Sequence, residues 1–159
     1  MAENPLMINQ TLLKTIPEPV KQFAEVIAKA VDADVRIVDN NLSVAGEAVL
    51  YYRLSASIGL DTVIGQVLAR QKRIVVEDRR WSEICRACPS YGECQICGMA
   101  GVPISHEGRV IGVIALLFPR HRTFGIFRDM EAAADFVARM AELLSERVGE
   151  QEALAKAER

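Results

Sequence analysis

Residues 101–118 read GVPISHEGRVIGVIALLF. Gly101 to Ser105 and Arg109 to Phe118 are apolar runs set on either side of His106-Glu107-Gly108. Two such runs around a short glycine-bearing segment predict antiparallel strands joined by a tight turn. Upstream, Ile74-Val75-Val76 reads as a short buried strand. Before it, Asp61 stands where a helix N-cap belongs, and Val63, Ile64, Val67 and Leu68 share one side of a helix. That helix ends near Gln71-Lys72-Arg73, whose basic groups suit the negative end of the helix dipole. Further back, Val35 to Asp39 and Leu42 to Val44 flank Asn40-Asn41, a pair that tolerates the left-handed backbone of a hairpin turn. After Pro19, the residues Val20, Phe23, Ala24, Ile27, Ala30 and Val31 recur at helical spacing.

Downstream of the hairpin, a long helix is expected from about Ile126. Met130, Ala133, Val137, Met140, Leu144 and Val148 form its stripe, widened by Phe136 and Leu143. About 30 residues of helix would reach roughly 45 Å, farther than a domain of this size can cover. The order helix, hairpin, helix, strand, long loop, hairpin, long helix predicts an α+β fold. It is satisfied by an antiparallel sheet with helices on one face. The chain divides into an N-terminal arm (1–17), one domain (18–149) with a loop at 77–98, and a polar, alanine-rich helical extension (150–159).

Composition sets the outer limits. The 159 residues suit one domain of the usual roughly 100–200. At 50% apolar and 25% charged, the chain is neither disordered nor membrane-like. A net charge of −2 leaves no basic footprint for nucleic acid. The longest apolar run, Val110 to Phe118, is too short to span a bilayer. Nothing in MAENPLMINQTLLKTIPEP resembles an export signal, so the expected compartment is the reducing cytoplasm. Clustered cysteines there bind metals or cycle redox states before they form structural disulfides.

Cysteines fill a single short segment. Cys85-Arg86-Ala87-Cys88 and Cys94-Gln95-Ile96-Cys97 place four cysteines within thirteen residues. Each two-residue spacer lets a pair of sulfurs turn toward one point, and the two pairs together can surround a metal. Zinc and iron–sulfur clusters both accept four thiolates. Gly98 after Cys97 suits a zinc knuckle, yet five residues between the pairs leave little chain to fold round a zinc ion. A four-iron (4Fe-4S) cluster is larger and accepts compact loops, so it is preferred, with zinc as the alternative. Arg79, Arg80 and Arg86 would offset thiolate charge for either metal. Tyr91 and Trp81 are candidates to shield the centre or to anchor the loop. His106, in the predicted turn, and His121, among arginines, are expected at the surface. The sequence has no phosphate-cradling glycine loop and no identifiable acid–base pair, so no catalytic residue is assigned.

Several phrases resemble the GAF family of small-molecule and redox sensor domains, which are similar in shape to PAS domains. They are Ile64-Gly65-Gln66-Val67-Leu68, Ile74-Val75-Val76-Glu77-Asp78, Val102-Pro103-Ile104, and Gly108-Arg109-Val110-Ile111-Gly112-Val113-Ile114. Phe124 to Arg128, leading into the last helix, is similar to the family's ending. The cysteine loop resembles those of N-terminal sensor domains in some sigma-54-dependent transcription activators. If the cysteines hold an iron–sulfur cluster, the expected signal is redox state or a diatomic gas such as oxygen or nitric oxide, passed on through the C-terminal helix; the length of that helix predicts that it pairs in a homodimer or leads into an effector. Two alternatives stay open: a small-molecule sensor braced by zinc, and a free methionine-(R)-sulfoxide reductase using Cys94 or Cys97. The second family works with cysteines on the equivalent loop, but two regular C-x-x-C pairs exceed what its chemistry requires.

Overall fold

The structure is a computed structural model that describes residues 10–51, 58–120 and 123–158. His121 lies outside the described residues. A 3-10 turn at Leu12–Thr15 leads into α1 (Pro17–Val31), β1 (Asp34–Asp39) and β2 (Val44–Ala48). Next come α2 (Val63–Arg70), β3 (Ile74–Val76), a 3-10 turn at Arg79–Trp81 and α3 (Glu83–Ala87). The chain then forms β4 (Gly98–His106), β5 (Arg109–Phe118) and α4 (Met130–Ala157).

The five strands form one antiparallel sheet in the order β2-β1-β5-β4-β3. β5 is central, which explains why its sequence is apolar at nearly every position rather than alternating: both of its faces are covered. On one face Val35, Ile37, Val102, Ile104, Ile114, Leu116 and Phe118 pack against α1 and α4. On the other, Val38, Val113, Ala115 and Leu117 meet Val63, Ile64 and Val67 of α2, together with Ile96, Cys85 and Cys94. The two long helices thus share a face as expected, while the short α2 and the cysteine segment roof the opposite one.

Local chemistry moves three of the expected boundaries. Thr62, not Asp61, caps α2: its hydroxyl accepts from the Gly65 N–H at 3.1 Å and donates to the Gly59 carbonyl at 2.7 Å. In the β1–β2 turn the left-handed residue is Leu42 (φ 61°) rather than either asparagine. Asp39 sets that turn, its carboxylate accepting from the Asn41 and Ser43 N–H groups at 2.9 Å each. The last helix starts at Met130, four residues later than Ile126, because the Ile126 N–H is bonded to the Ala30 carbonyl at 3.1 Å. Asp129 then caps α4 through the Ala132 N–H at 2.8 Å.

The hairpin of residues 98–118 turns through Glu107 (φ 52°) and Gly108 (φ 79°) alone. Two successive left-handed residues make the turn that matches strand twist. His106 therefore belongs to β4, paired with Arg109, and is 9% exposed instead of solvated. Its ring is held by α4, with Nδ1 at 3.0 Å from Ser145 Oγ and Nε2 at 2.6 Å from Glu152 Oε1.

Candidate metal centre

The cysteine segment is ordered by caps that its own sequence supplies. Asp78 caps the turn at Arg79–Trp81 through the Arg80 N–H at 2.9 Å, and Ser82 caps α3 through the Cys85 N–H at 3.2 Å. α3 carries Cys85 and ends on Cys88, whose N–H bonds back to the Cys85 carbonyl at 3.1 Å. The Cys94 N–H reaches the Ser90 carbonyl at 2.9 Å. Cys97 is tied through both backbone groups: its N–H donates to the Phe118 carbonyl at 2.9 Å, and its carbonyl accepts from the Arg79 N–H at 3.0 Å. The next residue begins β4. The expected structureless loop at 77–98 thus contains a one-turn helix and gives its last residue to the sheet. Five residues are too few to show a period in sequence.

All four cysteines are free and half-buried. Cys85, Cys88 and Cys94 line one cavity of about 90 Å³ beneath α2, together with Arg36, Arg79, Tyr91 and Ile64. Cys97 faces an open cleft beyond, lined also by Cys94, Asp78 and Arg80. Cys94 is common to the two. The structure brings three of the four expected ligands to one cavity, and the fourth lines the adjoining cleft.

The spacing of the sulfurs bears on which metal fits. The His106, Glu107 and Glu152 ligand atoms lie within 4.8 Å of one another; no three cysteine sulfurs do so among the described residues. Zinc at about 2.3 Å from each thiolate needs sulfurs roughly 3.8 Å apart. As a set the four sulfurs are more open than one zinc ion requires.

Among the described residues, two arginines, Arg36 and Arg79, and no carboxylate line the cavity. The Arg79 guanidinium donates to the Tyr91 carbonyl at 2.7 Å and lies 4.6 Å from the centre of the Tyr91 ring. Burial pushes the Cys85 thiol up, and its hydrogen bond with Ser82 and the Arg79 charge partly offset that. Arg80 pairs with Asp78 at 2.7 Å, while Arg86 is exposed and lines neither space. Trp81 is 81% exposed and cannot shield the centre; of the two aromatic candidates only Tyr91 lines the cavity.

Arg36 was not singled out in the sequence. It is 5% exposed, pairs with Glu47 at 3.6 Å and lines the cavity. Its signal is visible afterwards: in DVRIVD it is the single basic residue of an otherwise apolar-and-acidic strand.

A family model for the GAF domain matches residues 11–145. Among curated proteins, the chain is 30% identical over 118 residues to the "Putative uric acid sigma-54-dependent transcriptional regulator UacR" of Escherichia coli (strain K12). That match takes in 73% of this chain and 20% of the relative, so the chain spans about a fifth of that regulator's length. The GAF domain of an Acinetobacter phosphoenolpyruvate-protein phosphotransferase superposes with a TM-score of 0.64 at 19% identity, covering 95% of this chain and 97% of that one. A free methionine-R-sulfoxide reductase from Neisseria meningitidis, solved with its substrate, gives 0.64 at 20% identity, covering 97% and 96%. At such identities these two structures speak to the fold alone. No helix among the described residues is long and apolar enough to cross a membrane.

Proposed function

Because this chain belongs to the GAF domain family, we propose that it is the cytoplasmic sensory domain of a sigma-54-type transcription regulator, and that its cysteine segment holds an iron–sulfur cluster. The observation that carries the reading is the gathering of Cys85, Cys88 and Cys94 on one cavity beside Arg79, with Cys97 locked between Arg79 and Phe118. Cys85, Cys88, Cys94 and Cys97 are the ligands. A four-iron cluster supplies a one-electron couple and bonds that oxygen or nitric oxide can break. Arg79 balances the thiolate charge, Tyr91 limits water, and the caps at Asp78 and Ser82 hold the sulfurs near their places. The signal passes through α4 to an effector, with α4 pairing in a homodimer.

Purification without oxygen, followed by iron, sulfide and zinc analysis and a visible spectrum, tests this. Several irons with matching sulfide and a brown colour support it, and alanine at any of the four cysteines should reduce iron content. One zinc and no colour would replace the cluster with a zinc brace. No metal would return the cysteines to thiol chemistry, with reduction of free methionine sulfoxide as the assay.

Arg36 favours a second reading. A buried guanidinium on the wall of a largely apolar cavity that Arg79 also lines suits a small planar anion, since it offers several donors in one plane. The relative's name supplies a first compound to try. Saturable binding of urate, abolished by Arg36→Gln, would support a ligand sensor; no binding by folded protein would remove it.

A further inference from the structure

We propose that His106, Glu107 and Glu152 form a binding site for one first-row divalent cation, separate from the cysteine segment. The site lies where the β4–β5 turn meets α4, and it stands on three observations. The first is convergence: one ligand atom from each residue falls within a 4.8 Å group. His106 Nε2 is 2.6 Å from Glu152 Oε1 and 3.9 Å from Glu107 Oε1. Ligands about 2.1 Å from a shared tetrahedral ion stand roughly 3.4 Å apart. The two distances straddle that value, so both carboxylates reach ligand positions with small side-chain movements.

The second is charge. Neither Glu107 nor Glu152 has a lysine or arginine partner among the described residues; their ion-pair contacts are with His106. Nε2 can give its one proton to Glu152 at 2.6 Å, while Glu107, at 3.9 Å, is met chiefly by solvent. A dication satisfies both carboxylates and the nitrogen together. The third is orientation. Ser145 Oγ is 3.0 Å from Nδ1 and can accept the Nδ1–H that a ring bound to metal through Nε2 must carry. The ring itself is buried, while the Glu107 and Glu152 side chains are 74% and 36% exposed, so the nitrogen is held by its neighbours and the carboxylates are open to ions from solvent.

One imidazole with two carboxylates suits zinc, manganese or iron(II) more than a soft-metal site built of sulfur. A bound cation would fasten the hairpin turn to α4 one turn beyond Val148, the last buried residue of that helix. Its effect would fall on the part of α4 that leaves the core.

Two titrations separate this site from the cysteines. Wild-type protein is titrated with Mn2+, with the free ion followed by its paramagnetic resonance signal, because that hard cation does not favour thiolates. The variant with Cys85, Cys88, Cys94 and Cys97 all changed to Ser is titrated with Zn2+ in a calorimeter. One ion per chain is expected, with affinity reduced roughly tenfold or more by Glu107→Gln, by Glu152→Gln and by Ser145→Ala. Both glutamates are exposed enough that their glutamine variants should fold, so a loss reads on binding. If neither ion saturates on folded protein, or if the glutamine variants bind unchanged, the site does not exist.

Discussion

Gly112 sits where β1, β5 and the N-terminal turn meet, and the hydrogen it presents in place of a side chain is a structural requirement. A Cβ there would run into Leu13 Cδ1 and the Val38 carbonyl oxygen. The leucine tip could rotate, but the carbonyl belongs to a ladder strand and cannot. Gly112→Ala should therefore cost about 1–3 kcal/mol, the range of overpacking changes, and lower Tm by roughly 2–4 °C for each of those. Gly92, with nothing within 4 Å of its notional Cβ, is the control and should melt unchanged as alanine. Asp129 carries a pH effect of definite sign. Its bond from the Ala132 N–H, helped by Arg128, holds the carboxyl below its usual 3.8. A depressed folded-state pKa adds stability above the unfolded value, and that stability is lost as pH falls through the folded value. Urea denaturation should show Asp129→Asn, which keeps an acceptor at the cap, matching wild type more closely at pH 3 than at pH 7. An equal deficit at both would mean the charge is idle.

At the scale of elements, what could be read from sequence depended on period and length. Residues 101–118 declared a hairpin because two long apolar runs meet at a glycine turn, and α1 declared itself by its stripe. α3 was invisible, since one turn has no period. His106 was misplaced because a three-residue turn and a two-residue turn look alike until φ is known. The cysteines pointed to a metal site through spacing alone, but Arg36 and Glu152 reach their sites only through tertiary packing. The long final helix was legible, and its face makes a prediction. Its buried residues run from Met130 to Val148, yet Leu143 is 42% and Leu154 59% exposed. Phe136, Met140, Leu143, Arg147, Glu150 and Leu154 step by four, three, four, three and four along one side, the spacing of a paired coil's seam, with Arg147 and Glu150 as charged positions in that row. Light scattering should find a dimer, with Leu143→Glu or truncation after Val148 giving monomer. A wild-type monomer at high concentration would end the idea.

For the whole molecule, β4 is the element that joins the two ends of the proposed mechanism. It begins beside Cys97, whose backbone is tied to Arg79 and Phe118, and it ends at His106, whose ring holds Ser145 and Glu152 of α4. Along the way it pairs β3 at Val76–Met99 and packs broadly against α4 through Ala100, Val102 and Ile104. Releasing the cysteine segment would first free the three-residue β3, which has no strand partner but β4 among the described residues. β1, β2 and α1 lie across β5 and keep their own packing. Hydrogen exchange should follow that geometry. Alanine at Cys94, or removal of the proposed metal, should speed exchange in β3 and the first half of β4 by roughly tenfold, about 1.4 kcal/mol of local stability. A smaller rise is expected in α4 beyond Val148, with β1 and β2 unchanged. If exchange rises evenly through the sheet, the cysteines brace the whole fold and no directed path exists. If it rises only between residues 77 and 97, the loop moves without informing the helix, and the signal must leave by another surface.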